Sequence, residues 1–285
     1  MRTTERLTAA ERAEYDEQGF LRIAGFADAA RCARMLDRVV AITDAHAHAA
    51  ATADGGGNGS GDDSGDGDRS GAARHPDAIG YVLPEANLAG RSGNPEDLAS
   101  KVFRIHRDTV FADFAHDRAL TDLLADLVGP DIDCFLSQFI FKNPGAWGQP
   151  WHQDGYYFRF EPPRPIVGVW LAVTEATLAN GCLHVLPGSH REPIHRHEPD
   201  RRPNANYGYV EIVDHDMTGS VPVLMQPGDL LLFDSHLMHR STDNESTGVR
   251  AAMVYHYARA GTVDHRNSPI HDFVPVRRAE PRGDR

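Results

Sequence analysis

Residues 228–257 read GDLLLFDSHLMHRSTDNESTGVRAAMVYHY. A turn at Pro227-Gly228 opens onto an apolar run, Asp229 to Phe233, and a second run from Val249 to Tyr257 follows a polar loop. Short runs rich in Leu, Val and aromatics, joined by turn chemistry, predict strands rather than helix. The pattern continues upstream in Ile132 to Lys142, Gly168 to Val173, Cys182 to Leu186 and Val221 to Met225, punctuated by Asn143-Pro144-Gly145, Asn180-Gly181 and Pro187-Gly188. Strands of this length with this punctuation predict a sandwich or jelly roll. The expected fold class is mainly β with flanking helices.

The helices belong to the first 128 residues. Thr8 followed by Glu11 is a capping-box pattern, so Leu7 to Gln18 predicts a helix that Gly19 stops. Phe20 to Ile23 follows as a strand, and Ala27 to Thr43 returns to helical spacing with Cys32, Leu36, Val39 and Val40 on one stripe. Thr109 to Val128 predicts a further helix closed by Gly129-Pro130. Between them, about residues 52–73, Gly, Asp and Ser leave no apolar face to offset ordering entropy, so a disordered insertion is expected. A single imperfect GGxGxD-like copy is too little for calcium repeats. The chain, 1–285, reads as one domain: helical additions over 1–128 and a β core over 129–260.

Bulk properties narrow the function classes. With 29 Lys and Arg against 41 Asp and Glu, and no basic run, nucleic acid and anionic membrane are poor partners. Cys32, Cys134 and Cys182 are far apart and without CxxC spacing, which fits reduced thiols better than a disulfide framework or a zinc site. The first twenty residues carry no apolar signal segment, no run suits a membrane span, and the final RGDR is not a peroxisomal address. A cytoplasmic protein with a small-molecule substrate is expected; oligomeric state is not legible.

Three HxD pairs could begin a metal site: His75/Asp77, His106/Asp108 and His152/Asp154. Residues two apart on a strand emerge on one face and can reach one cation. The first pair has Pro76 inside it beside the Gly-rich stretch, and in the second Asp108 is better explained as a helix cap. The third lies in QPWHQDGYYF, among aromatics that can exclude water. His239 is placed to supply a third ligand from a facing strand. Arg250, eleven residues later, could grip a carboxylate with two prongs as Lys could not. His236 and His256 compete for the third position, His236 reading as structural or outer-shell and His256 as lying along the strand rather than at the mouth. Two imidazoles and a carboxylate on one face of a metal suit Fe(II), whereas structural zinc would want a fourth protein ligand.

WHQDGYYF, VGVWLAV, NGCLHVLPGSH and GDLLLFDSHLMHRS, with Arg250 eleven residues beyond the histidine, occur here in an order and spacing that resembles the phytanoyl-CoA dioxygenase family of iron/2-oxoglutarate oxygenases. The resemblance covers residues 101–258 and, weakly, the N-terminal helices. It implies a double-stranded β-helix of cupin-like type, with His152, Asp154 and His239 as catalytic iron ligands. It further implies that Arg250 pairs with the far carboxylate of 2-oxoglutarate beside Ser241, that Trp170 packs on the co-substrate, and that Lys101 and Gln138 contact it. The implied cofactors are Fe(II), 2-oxoglutarate and O2, and the implied products are succinate, carbon dioxide and a hydroxylated small molecule. Relatives that install halogen have a small residue in place of the carboxylate, so Asp154 points to hydroxylation. Tyr156, Tyr157 and Phe158 are expected as pocket walls, with at least one facing the core. His184 and His190 read as structural. Two other readings stay open: a cupin-like metal-binding protein without oxygenase activity, and a metal-dependent hydrolase or isomerase.

Overall fold

Helix α1 (Ala9–Gln18) begins where the Thr8 hydroxyl oxygen accepts from Glu11 N and the Glu11 carboxylate accepts from Thr8 N, and it ends at Gly19 with φ 82°. The structure is a computed structural model that describes residues 6–54 and 80–279. After α1 come β1 (Phe20–Ile23), α2 (Ala29–Asp54), β2 (Tyr81–Pro84), β3 (Ala99–Phe103), α3 (Thr109–Ala115), α4 (Arg118–Leu127) and β4 (Ile132–Lys142). The remaining strands are β5 (Phe160–Glu161), β6 (Ile166–Ala172), β7 (Leu183–Val185), β8 (His197–Pro199), β9 (Val210–Ile212), β10 (Val221–Val223), β11 (Leu230–Asp234), β12 (His239–Ser241), β13 (Arg250–Arg259), β14 (Val263–Asp264) and β15 (Val274–Arg277).

Eight strands form one sheet in the order β1-β11-β6-β13-β4-β3-β2, with β15 also paired to β4. A smaller sheet runs β10-β7-β12. All the pairings are antiparallel. Strand alternation then divides the core. Val169, Leu171, Leu232, Met253 and Tyr255 share one apolar cluster with Met35, Val39, Phe111 and Phe114 of the helices. The intervening residues Trp170, Leu231, Phe233, Ala252 and Val254 pack instead with Val185 and Val223 of the small sheet. Because both faces of the central strands are covered, they read as unbroken apolar runs rather than as alternating ones.

Three local expectations change. The second helix runs on to Asp54, through AHAHAAATAD, because alanine propagates a helix without an apolar stripe to bury. The part of the Gly/Asp-rich insertion beyond Asp54 lies outside the described residues. The helix expected over 109–128 is two, broken where the Asp117 side chain accepts from Ala119 N and Leu120 N and so caps a new start. Strands β2 and β3 are additions to the expected set, with Gly93-Asn94-Pro95 in the connection between them.

Gly228 joins the strands to the helices. Its φ is 90°, and a Cβ there would meet the Ala27 carbonyl oxygen at 2.1 Å. Gly228→Ala is expected to cost about 1–3 kcal/mol of stability through this backbone clash and the left-handed conformation, read as a lower urea midpoint at unchanged slope.

Candidate metal centre

His152 and His239 are paired backbone to backbone: His152 N donates to His239 O at 2.9 Å and His239 N to His152 O at 3.0 Å. The ladder sets their rings 4.2 Å apart between centroids. Each ring is then oriented by its own chain, His152 Nδ1 lying 2.8 Å from Pro150 O and His239 Nδ1 2.9 Å from Leu237 O. A carbonyl can only accept, so both Nδ1 atoms carry a proton and the two Nε2 atoms are the ones left for a metal. Burial and the neighbouring His152 bring the His239 pKa down to about 4, so its imidazole is neutral at ordinary pH.

The HxD pair does not lie on a strand as expected. His152 belongs to the bridge, Gln153 is extended with φ −116° and ψ 127°, and Asp154 opens a 3-10 turn, Asp154–Tyr156. One extended residue between them is sufficient to bring both side chains to the same side. Asp154 Oδ1 is 3.4 Å from His152 Nε2 and 3.8 Å from His239 Nε2. Ligand atoms of the three residues lie within 4.8 Å of one another, close enough for one metal ion.

The other carboxylate oxygen is already engaged. His256 Nε2 approaches Asp154 Oδ2 at 2.7 Å, and His256 is 1% exposed with Nδ1 unpartnered among the described residues. An ionised carboxylate accepts only, so the proton sits on His256 Nε2, and Oδ1 is left to face the two imidazoles. Burial alone would raise the Asp154 pKa; His239, His152 and His256 together outweigh it and hold the carboxyl well below its usual range. His256 therefore lies along β13, as the sequence suggested, yet touches the centre. An even spacing of six from Arg250 on one strand was the available signal.

Arg250 faces the same cavity, of about 690 Å3, as the three clustered residues. Its side chain is 2% exposed, its Nε and Nη1 have no hydrogen-bond partner among the described residues, and burial lowers its pKa to about 10. The guanidinium lies over Trp170 at 5.5 Å. Directly across the ladder stands Lys142, a residue not singled out from the sequence. Lys142 Nζ donates to Ser241 Oγ at 2.9 Å, Thr242 O at 2.8 Å and Trp147 O at 3.2 Å. Burial first and Arg250 second drive its pKa well below the ordinary lysine value. Lys101 and Gln138 also line the cavity, Lys101 Nζ donating to Gln149 Oε1 at 3.1 Å. Among the described residues neither Arg250 nor Lys142 has a carboxylate in contact, and buried cations left so favour an anion beside them.

Tyr157 and Phe158 line the cavity too, whereas Tyr156 stacks on His197 at 4.3 Å. Asp108 caps α3 as expected, accepting from Val110 N, and pairs with Arg38. The pair His75/Asp77 lies outside the described residues.

A jelly-roll fold with two main antiparallel sheets, whose His-Asp-His cluster shares one cavity with a guanidinium that has two nitrogen atoms unpartnered among the described residues, defines a cupin-type protein with a candidate metal centre. The signature of phytanoyl-CoA dioxygenase (PhyH) matches residues 15–252, and the chain belongs to that family. The bovine peroxisomal phytanoyl-CoA dioxygenase is 32% identical over 171 residues, 58% of this chain and 51% of that protein. The chain thus spans about half the length of the first curated relatives it matches. The fold is shared with the epimerase SnoN in complex with Fe3+, alpha-ketoglutarate and nogalamycin RO, at TM-score 0.62 and 16% identity over 90% of this chain and 84% of that one. It is shared equally with EctD from S. alaskensis with 2-oxoglutarate and 5-hydroxyectoine, at TM-score 0.62 and 21% identity over 91% and 78%.

Lys142 has a thermodynamic signature. A lysine whose folded pKa is depressed destabilises the fold below that pKa, and the penalty is relieved as pH rises toward the ordinary value near 10.5, because the unfolded chain binds the extra proton. Wild-type stability should therefore gain more between about pH 7 and about pH 9.5 than that of Lys142→Met, measured by urea unfolding at both values. An equal gain in the two proteins would refute the assignment.

Proposed function

We propose that this chain is an Fe(II)- and 2-oxoglutarate-dependent dioxygenase that hydroxylates a small organic molecule, with release of succinate and carbon dioxide. The observation that carries the reading is Arg250: a buried guanidinium with two unpartnered nitrogen atoms, in one cavity with a cluster of two imidazoles and one carboxylate. A buried cation with open donors is costly unless a ligand completes it, and a dicarboxylate does so with matched geometry. Family membership supports the same reading, as do fold relatives described with Fe3+ and alpha-ketoglutarate or with 2-oxoglutarate.

The donor set fits Fe(II). Two imidazoles that present Nε2 and one ionised carboxylate would hold the ion and leave its other positions open. Once bound, iron with 2-oxoglutarate and O2 supplies the oxidising chemistry. His152, Asp154 and His239 are the ligands in this reading. His256 fixes Asp154 by donating to Oδ2, so that Oδ1 is presented to the metal. Arg250 receives the far carboxylate of the co-substrate, with Ser241 free to donate its hydroxyl proton because its oxygen already accepts from Lys142 Nζ and Gln149 N. An arriving carboxylate also restores the charge that burial disfavours on Lys142. Trp170 forms the apolar floor beneath Arg250, and Lys101 and Gln138 border the co-substrate. Tyr157, Phe158 and Tyr81 line the same cavity, whose volume suits a small molecule and whose aromatic lining limits water.

Among the described residues no helix is long and apolar enough to cross a membrane. The three cysteines are free and buried, which supports a reducing, cytoplasmic setting.

Succinate release from 2-oxoglutarate under aerobic Fe(II) conditions, with small-molecule candidates as stimulants, tests the reading. Arg250→Ala is expected to weaken 2-oxoglutarate binding by about 30-fold or more, the loss for truncating one partner of a buried charge pair. Asp154→Ala should abolish succinate formation. Wild-type protein that binds Fe(II) but no 2-oxoglutarate would instead mark a cupin-like binding protein, and turnover that persists without oxygen a hydrolase or isomerase.

A further inference from the structure

A second group of ligand-type side chains sits in the segments flanking β8 and β9, away from the cavity. Glu192 follows a 3-10 turn, Ser189–Arg191; His195 precedes β8, and Asp214 and His215 follow β9. The Glu192 Oε2 atom is 2.9 Å from His195 Nε2 and 3.1 Å from His215 Nε2. The two rings stand 4.9 Å apart and nearly perpendicular, at 83°. Ligand atoms of the three lie within 4.8 Å of one another. Behind His195 a further carboxylate oxygen, Asp214 Oδ1, is 3.3 Å from Nδ1.

We propose that Glu192, His195 and His215 form a second metal site, for Zn(II), separate from the His152, Asp154 and His239 cluster. Two imidazoles and one carboxylate are the donor set of an open zinc site, with water in the fourth tetrahedral position, and not of the closed four-ligand structural kind. Asp214 completes the carboxylate–histidine–metal relay, because accepting from His195 Nδ1–H leaves the Nε2 lone pair directed at the ion. The side chains are part-exposed, at 39%, 16% and 21% for Glu192, His195 and His215, so the ion has a path from solvent.

The site has a structural consequence for the first centre. Gln153, between His152 and Asp154, accepts from His195 N at 2.8 Å and donates to Pro193 O at 3.1 Å, while Gln153 N donates to His197 Nε2 at 3.1 Å. Residues 192–197 are therefore the shelf on which the HQD segment rests. Zinc would reinforce the tie of that shelf to residues 214–215, which already rests on the pairing of β8 with β9, on bonds of Arg196 with Val213 and Asp214, and on the contacts of His195 with Asp214 and of His215 with Glu192.

The test uses the full chain carrying His152→Ala and His239→Ala, which cannot bind metal at the first cluster. Titration with Zn(II) against a competing chromophoric chelator should give one bound equivalent, lost when His195→Gln and His215→Gln are added. Asp214→Asn should weaken the site by about 10–100-fold, the usual cost of losing a partner behind a metal-bound histidine. Zinc should also slow amide exchange in residues 192–197 and 210–216. If the first pair of substitutions unfolds the chain, the same comparison is made in the wild-type background, where two equivalents should fall to one. A chain without the first cluster that binds no zinc, or zinc retained after loss of His195 and His215, overturns the proposal; a protonated histidine pair around Glu192 would then account for the geometry.

Discussion

Two backbone hydrogen bonds between His152 and His239 hold the candidate centre together. The two residues are distant in sequence, and neither lies within a long strand, so this bridge, flanked by Ser241 N donating to Gln149 O and Gly155 N donating to Ser235 O, brings their rings side by side. Each ring is then turned by a carbonyl two residues earlier on its own chain. The tautomers follow from that local geometry rather than from any ligand. A site built this way is organised before a metal arrives, which lowers the ordering cost of binding one.

The other end of the cavity carries the opposite strategy. Arg250 and Lys142 stand opposite each other on neighbouring strands, both buried, with like charges where a sheet ordinarily avoids them. Lys142 has three oxygen acceptors to hold it, whereas Arg250 keeps two nitrogen atoms unpartnered among the described residues. This is a place where stability is surrendered locally, and an anion is the partner that would recover it. The apolar sandwich around it, closed by helices on one face and by the small sheet on the other, is what tolerates the strain.

Much of this was legible in the chain. Alternating apolar runs and turn dipeptides placed the long strands β4 and β13 nearly to the residue, and the Thr8/Glu11 box placed α1. Strand β3 escaped notice because it pairs with β4, a partner farther along the chain, and β2 because it pairs only with β3. The α3–α4 break escaped because Asp117 is a cap only once the chain turns there. Motif order brought His152, Asp154, His239 and Arg250 forward together. Lys142 and His256 carried no motif; even spacing along a strand could have marked His256, but only the pairing of β13 with β4 marks Lys142 as Arg250's neighbour.

Residue type, order and period by themselves determined a β-rich architecture with helices before it, and which side chains could bind a metal or a carboxylate. Tertiary structure alone decided which oxygen of Asp154 is free, which cation faces Arg250, and that Glu192, His195 and His215 meet at all. The physical reason is range. Strand periodicity and capping are set by neighbours within a few residues, whereas tautomers, buried charge and side-chain convergence depend on groups that only the closed sheet brings within hydrogen-bonding distance.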